Sequence, residues 1–297
     1  MAVPPGGRLQ TRPDEDLGHD VDTAQSCGRM GAVRVMTSLV LLTVRRLFAR
    51  GAGASSLLAL SSLALLLVTL LPVPAAARRP YCNLRNMVLI QGKFCIDRFE
   101  SVTQVKKGNR WVDHSPFESV KGEEVRAISR PGRYPQAYIS RNEAEAACEK
   151  SNKRLCTETE WKTACMGKQP TLYPYGKEYR PGRCNDSGVS PLNHYYGTRT
   201  GPPESAYGWG PMNDPKLNQL RGSLAQTGSF SRCRNSWRLN DMVGNLHEWV
   251  ATPSGTFLGG YYLDTKINGE GCNYKTVAHN ANYHDYSTGF RCCANPR

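Results

Sequence analysis

Ten cysteines fall between residues 82 and 293, at positions 82, 95, 148, 156, 165, 184, 233, 272, 292 and 293. No other feature limits the fold as strongly. An even set of cysteines in an exported chain reads as a disulfide framework. Structural zinc would need close C-x2-C pairs. The sole tight pair here is Cys292-Cys293, so zinc is not expected.

The premise of export comes from the first quarter of the 297-residue chain. No charged residue occurs from Gly51 to Ala77. Arg45, Arg46 and Arg50 precede the apolar run Leu57–Val73, which ends in Pro74-Ala75-Ala76-Ala77 and is followed by Arg78-Arg79. A basic stretch, an apolar run and a small-residue ending describe a secretory signal peptide with its cleavage site, here residues 56–77. The run is short for a membrane span of about 20 apolar residues and carries Ser61, Ser62 and Thr69. If uncleaved it would serve as a membrane anchor. Residues 1–55 show little pattern and read as a disordered leader, or as sequence upstream of a true start at Met30 or Met36. Residues 78–297 are then the mature domain, large enough for one core. The expected location is secreted or the cell envelope.

The formal charge is +13, and +11 remains after residue 77, because seven basic and five acidic residues precede it. Such a balance favours acidic surfaces, such as the cell envelope or polyanions. The basic residues are scattered without a helix-turn-helix, RRM or zinc-finger pattern, so no nucleic-acid partner is expected.

Local signals divide the mature region. Residues 86–100 hold two apolar runs split by Gly92 and read as a short hairpin or two edge strands. Residues 104–134 read as a charged loop. Ser140-Arg-Asn-Glu143 and Thr157-Glu-Thr-Glu160 are capping boxes, each opening a short helix. Ile139 and Ala144 occupy the positions of a hydrophobic staple. Ala144, Ala147 and Cys148 form one buried face; Trp161, Ala164 and Cys165 form the other, and Gly167 ends that helix. Residues 168–240 are rich in Gly, Pro, Asn, Ser and Tyr and need support beyond aliphatic packing. Residues 257–263 and 287–293 read as strands.

The succession PQAYISRNEAEAACEKSNKRLCTETEWKTAC, LYPYG, DMVGNLHEWV, FLGGYY and TGFRCC resembles the sulfatase-modifying-factor family, whose founding member is the formylglycine-generating enzyme. The resemblance runs from about Met87 to Ala294. It implies an α+β, loop-rich fold on a C-type-lectin-like core, stabilised by disulfides. It also implies an oxidase that converts a sulfatase cysteine to formylglycine with oxygen and a copper(I) ion on two thiolates, in a pattern like G-G-S-Y-x-C-x4-C. Copper(I) is soft and prefers thiolate. Counting forward from Gly259-Gly260, the thiolate positions fall on Asp264 and Gly269. Counting back from Cys272, taken as the structural cysteine, gives Tyr262 and Ile267. Neither count meets a cysteine, Tyr261 replaces the serine of the pattern, and no copper is expected. Cys272 with Cys292 or Cys293 would be the local alternative. Sulfoxide synthases of the same family use a three-histidine iron site; here the one close pair, His279 and His284, carries no expected metal role.

The resemblance further implies that Cys148 pairs with Cys292 and Cys165 with Cys272. The first would close a loop of about 145 residues, worth roughly 5 kcal/mol on the chain-entropy account. Pairing Cys184 with Cys233 would clamp the loop-rich region. Cys82, Cys95, Cys156 and Cys293 can then pair in three ways, and the sequence does not choose. Residues Asp241 to Glu248 match a family calcium site, N-x-x-G-N-x-x-E. It would use the side chains of Asp241 and Glu248 and the carbonyls of Gly244 and Leu246, all hard oxygen donors. His247 stands where the family has Trp. Asn185-Asp186 match the opening of a second calcium site.

Two functions follow. The first is an exported, non-catalytic scaffold, stabilised by calcium, that binds a peptide, protein or glycan through Tyr261, Tyr262, Asn280, Tyr283 and Tyr286. The second is a formylglycine-generating oxidase.

Overall fold

The computed structural model describes residues 80–297. The leader and signal segment assigned to residues 1–77 lie outside the described residues. Among the described residues no helix is long and apolar enough to cross a membrane.

The chain opens with the hairpin β1 (Met87–Ile90) and β2 (Phe94–Asp97), paired antiparallel with Leu89 opposite Cys95. β2 is not an edge strand. β11 (Cys292–Ala294) lies on its other side, with β6 (Arg154–Leu155) beyond, giving the order β1-β2-β11-β6.

Residues 104–134 are not a loop. β3 (Ser101–Lys107), β4 (Arg110–Asp113) and β5 (Val125–Ser129) form an antiparallel sheet ordered β4-β3-β5. The alternation is present in β5, where Val125, Ala127 and Ser129 point inward and Arg126 and Ile128 outward. Small inward residues and charged outward ones weaken that signal. The Gly108-Asn109 step between β3 and β4 is a two-residue hairpin turn, and Gly108 takes φ +58°.

Both capping boxes are formed. α1 (Arg141–Glu149) starts at Ser140, whose side chain accepts from the Glu143 N–H while Glu143 returns to the Ser140 N–H. α2 (Glu158–Met166) starts the same way at Thr157 and Glu160 and ends at Gly167. Satisfying two orphan donors at each start is worth about 1 kcal/mol per cap. α1 buries Ala144, Ala147 and Cys148; α2 buries Trp161, Ala164 and Cys165.

Residues 168–240 hold only the short helices α3 (Pro191–Tyr196) and α4 (Trp209–Met212) and two 3-10 turns. The strand readings of 257–263 and 287–293 shrink. β7 (His247–Trp249), β8 (Phe257–Leu258), β9 (Lys275–Thr276) and β10 (Thr288–Phe290) make the second four-stranded sheet, ordered β10-β7-β8-β9. β8 stops at Leu258 because Gly259 and Gly260 both turn to positive φ.

Five disulfides lock these pieces: Cys82–Cys95, Cys148–Cys292, Cys156–Cys293, Cys165–Cys272 and Cys184–Cys233. Cys292 and Cys293 point to opposite faces of β11, as strand neighbours must, so one strand is tied to α1 on one side and to the residue after β6 on the other. The largest core cluster packs Trp161, Tyr173, Leu258 and six half-cystines together.

Candidate functional site

Two features meet at the carboxyl-terminal sheet: a carboxylate loop and an aromatic wall. The loop is residues 241–248. Asp241, Gly244 and Asn245 all take left-handed backbone conformations, at φ +54°, +78° and +61°. Asp, Asn and Gly tolerate that region best. At Gly244 a Cβ would lie 2.2 Å from the Asn185 carbonyl oxygen, so no other residue fits. Asn185 and the loop therefore interlock: the Asn245 N–H donates to the Asn185 carbonyl, and the Asn185 amide donates to Asn245 Oδ1 at 3.0 Å.

Beneath the loop lies a buried charge cluster. Arg291 from the GFRCC segment is fully buried and grips Glu248, with Nε to Oε2 and Nη2 to Oε1 both at 2.6 Å. It also donates to the Asn240 and Asp241 carbonyls. Trp161 Nε1 donates to Glu248 Oε2 at 2.6 Å. Glu100, also fully buried, accepts from the Asn245 amide at 2.6 Å and from the Leu246 N–H at 3.2 Å. Burial, then the charges of Asp241 and Glu248, push Glu100 well above the carboxylate range. Burial pushes Asp241 up to about 7, against the pull of the Gly228 N–H and Arg291.

Three buried carboxylates thus face one guanidinium. The residues fit a divalent cation on charge, because two negative charges remain uncompensated when all three ionise. They also fit on donor chemistry, since the donors are hard oxygens. Glu248 Oε2 is saturated, so Glu248 has only Oε1 to offer. Asp241 Oδ2 accepts from the Gly228 N–H at 2.6 Å and leaves Oδ1. Among the described residues no three His, Cys, Asp or Glu side chains converge as a metal-binding group. An ion here would therefore depend on the Gly244 and Leu246 carbonyls. At Asn185-Asp186, Asp186 Oδ2 is buried without a partner, and burial raises that carboxyl to about 6.

The wall follows β8. At Gly260 a Cβ would lie 2.2 Å from the Asp264 carbonyl oxygen, which fixes the tight turn that brings Tyr261 opposite Asp264. Asp264 Oδ1 caps this turn by accepting from the N–H groups of Lys266 and Ile267, and Gly269 has φ +99°. Ile267 is exposed and Tyr262 is buried, with its hydroxyl donating to Asn218. All ten cysteines of the described residues are in disulfides, Cys272 with Cys165.

His247 enters the wall from β7. Its ring lies 4.4 Å from Phe257, 4.8 Å from Tyr261 and 5.4 Å from Tyr274, between centroids. Its Nδ1 is buried without a hydrogen-bond partner, and burial, then the His279 charge, lowers its pKa to about 3. It is a neutral, aromatic-caged imidazole. Outside it, His279 stacks on Tyr283 at 3.7 Å, and the exposed Trp209 meets the edges of His284 and Tyr283 at 4.7 and 6.3 Å. Tyr283 donates to Asp285 Oδ2 at 2.6 Å. Tyr261 and Tyr283 are half-buried and Asn280 is exposed, whereas Tyr262 and Tyr286 sit in the core.

The sequence reading missed Glu100, Arg291 and Trp209. Arg291 had a signal, a single charge inside the otherwise uncharged GFRCC; Glu100 had none, because it is one of three charges in CIDRFE. Trp209 had none, because its neighbours come from a distant segment.

Residues 83–295 match the sulfatase-modifying factor enzyme 1-like domain. Two of the most similar curated relatives come from Bos taurus. The "Inactive C-alpha-formylglycine-generating enzyme 2" is 25% identical over 187 residues, 54% of this chain and 50% of the relative. The "Formylglycine-generating enzyme" is 28% identical over 199 residues, 59% of this chain and 47% of the relative. The chain spans about half the length of these relatives. Among solved structures, PvdO from Pseudomonas aeruginosa aligns at a TM-score of 0.42 with 14% identity, over 68% of this chain and 80% of that one. With its domain matched from Asn83 to Asn295, this chain belongs to the sulfatase-modifying factor, or formylglycine-generating enzyme, family.

Proposed function

We propose that this protein is an exported, non-catalytic member of the family that binds a peptide or glycan on the face formed by Tyr261, Asn280, Tyr283 and Trp209. One observation carries this reading: every cysteine from residue 80 onward is held in a disulfide. A family oxidase needs two thiolates on copper(I), and a disulfide sulfur is not a thiolate. Cys272, Cys292 and Cys293, the nearest local alternatives, are each bonded elsewhere. Five disulfides also support an oxidising compartment. Rigid aromatic rings beside an exposed amide suit recognition of varied polar ligands.

The reading includes calcium at Asp241, Gly244, Leu246 and Glu248. At calcium a hundredfold above its Kd, linkage gives about 2.7 kcal/mol of added stability. A melting temperature unmoved by calcium and by EDTA would remove it from the proposal.

The oxidase is the competing reading, supported by relatives that carry the enzyme's name. One experiment separates the two. One sample of the folded protein is titrated with a thiol reagent; a second, unmodified sample is supplied with copper(I), oxygen and a C-x-P-x-R peptide. The scaffold reading expects no titratable thiol in residues 80–297, no copper-dependent product, and binding to a glycan or peptide array that Trp209→Ala weakens. Conversion of the peptide cysteine, followed by mass spectrometry, would establish the oxidase instead.

A further inference from the structure

The strongest unassigned feature lies on a face that shares no lining residue with the aromatic wall. Two concavities adjoin there. One, of about 700 Å³, is lined by Arg85, Arg126, Arg130, Lys150 and Lys153 and by no carboxylate. The other, of about 390 Å³, is lined by Arg98 and Arg234 and again by no carboxylate. They share Pro131, in the turn that follows β5. A third hollow of about 590 Å³ continues the first through Leu84, Asn152 and Lys153 and adds Arg154 and Arg297.

Several of these cations already have partners: Lys150 with Glu124, Lys153 with Asp97, Arg154 with Glu160, and Arg130 weakly with Asp113. Arg85, Arg98, Arg126 and Arg234 meet no carboxylate within 4.0 Å among the described residues. Arg126 spends its guanidinium on the neutral Gln104 amide oxygen and on the Trp111 ring. Arg98 donates to the Arg238 carbonyl. Its pKa is lowered by burial and then by the neighbouring charges of Arg234 and Arg238, so these arginines crowd one another without compensation. Uncompensated like charges held along one trough are the arrangement an anionic chain relieves.

We propose that this arginine-lined trough binds an acidic glycan, one whose sulfate or uronate groups meet Arg85, Arg126, Arg98 and Arg234 in turn. Planar guanidinium forks match sulfate and carboxylate oxygens in pairs. Between the arginines the lining mixes apolar residues such as Leu84, Ile128 and Phe99 with amides and hydroxyls, and Asn86, Asn152, Ser229 and Ser231 suit sugar hydroxyls. The 700 Å³ concavity offers no aromatic ring for base stacking, which sets a single-stranded nucleic acid aside. The proposal does not depend on the scaffold reading, since an oxidase could carry the same trough.

The test uses the full chain and a heparin-derived sulfated octasaccharide at physiological salt, read by fluorescence polarisation. The variant Arg85→Gln/Arg126→Gln/Arg234→Gln is expected to weaken binding at least about tenfold and to flatten its salt dependence. The charge-matched control Lys93→Gln/Lys177→Gln/Lys266→Gln, which lines none of these hollows, is expected to bind within about twofold of the parent. Circular dichroism and melting confirm that both fold; if the triple variant does not, the three single variants replace it, each expected to lose part of the affinity. Absence of octasaccharide binding, equal loss in the control, or equal affinity for the desulfated octasaccharide overturns the proposal. So does a single-stranded oligonucleotide that binds more tightly through the same three arginines.

Discussion

Residues 168–240 and the sheet β4-β3-β5 are similar in exposure and opposite in construction. The first has little regular structure and is closed by Cys184–Cys233, with Cys165–Cys272 at its start. Its backbone groups pair mostly within short turns, and a few buried amides tie those turns to one another and to the helices. Asn235 donates to the Ala164 and Cys165 carbonyls and accepts from the Trp237 and Leu239 N–H groups. Asn185 and Asn245 do the same for Ser223 and Ala225. The second region has no cysteine at all; its backbone groups satisfy one another along the ladder. The difference teaches where tolerance lies. A laddered sheet accepts side-chain changes on its outer face, whereas a cross-linked loop depends on a few irreplaceable side chains, and the candidate site is built from such side chains.

The largest break expected is at Arg291. Arg291→Met leaves Glu248 buried and unpaired beside Glu100 and Asp241, and removing one member of a buried pair costs roughly 3–5 kcal/mol. Denaturant unfolding should show that loss, or the variant should fail to accumulate folded. Stability within about 1 kcal/mol of the parent would mean that the cluster is not held by this guanidinium.

Next comes the clamp. Cys184→Ser/Cys233→Ser opens a loop with a separation of 49 residues, for which the chain-entropy account gives about 4 kcal/mol as an upper figure. Because the buried Asn185 and Asn235 bonds remain, a loss of roughly 2–4 kcal/mol is expected, with proteolysis first cutting between residues 168 and 240. First cleavage between β3 and β5 instead would reverse the comparison.

The two regions also differ in what their sequence disclosed. Helices α1 and α2 were legible because capping is local: Ser140 and Glu143, or Thr157 and Glu160, lie within one turn. The family resemblance rested on short segments whose order is local too. The sheet reads as a loop because Arg126, Ile128 and Lys106 crowd its outer face while Val, Ala, Ser and Thr, with no large apolar residue, mark the inner one. At the site, Asp241 and Glu248 came from the family pattern N-x-x-G-N-x-x-E that the resemblance implies. Their real neighbours, Glu100 and Arg291, are 141 residues before and 50 after Asp241, and only tertiary structure joins them. The same holds for the partner of Cys82 and for Trp209 over His284.

A smaller effect, of opposite sign, is expected at His247. Its Nδ1 is buried with no partner, which costs on the order of 1–3 kcal/mol that a hydrocarbon ring avoids. His247→Phe keeps a flat ring between Phe257, Tyr261 and Tyr274. It should raise stability by about 1 kcal/mol, measured by thermal melting. A destabilised His247→Phe would mean that the imidazole has a partner in solution, such as a bound ligand, and would sharpen the case for the wall as a working site.

The smallest effect belongs to the sheet. Lys107 and Glu123 face each other at 3.2 Å, but both side chains are widely exposed, at 59% and 40%. An exposed pair gains little over hydrated charges, and holding two long side chains together has an entropic cost. Lys107→Gln removes the pair without touching the Lys107–Arg110 register that closes the hairpin. The expected change is within about 0.5 kcal/mol, shrinking further as salt screens the charges. Urea unfolding at low and high ionic strength measures both parts. A loss above about 1 kcal/mol would show that the sheet, like the loops, rests on individual side chains, and the contrast between the two regions would fail at its weaker end.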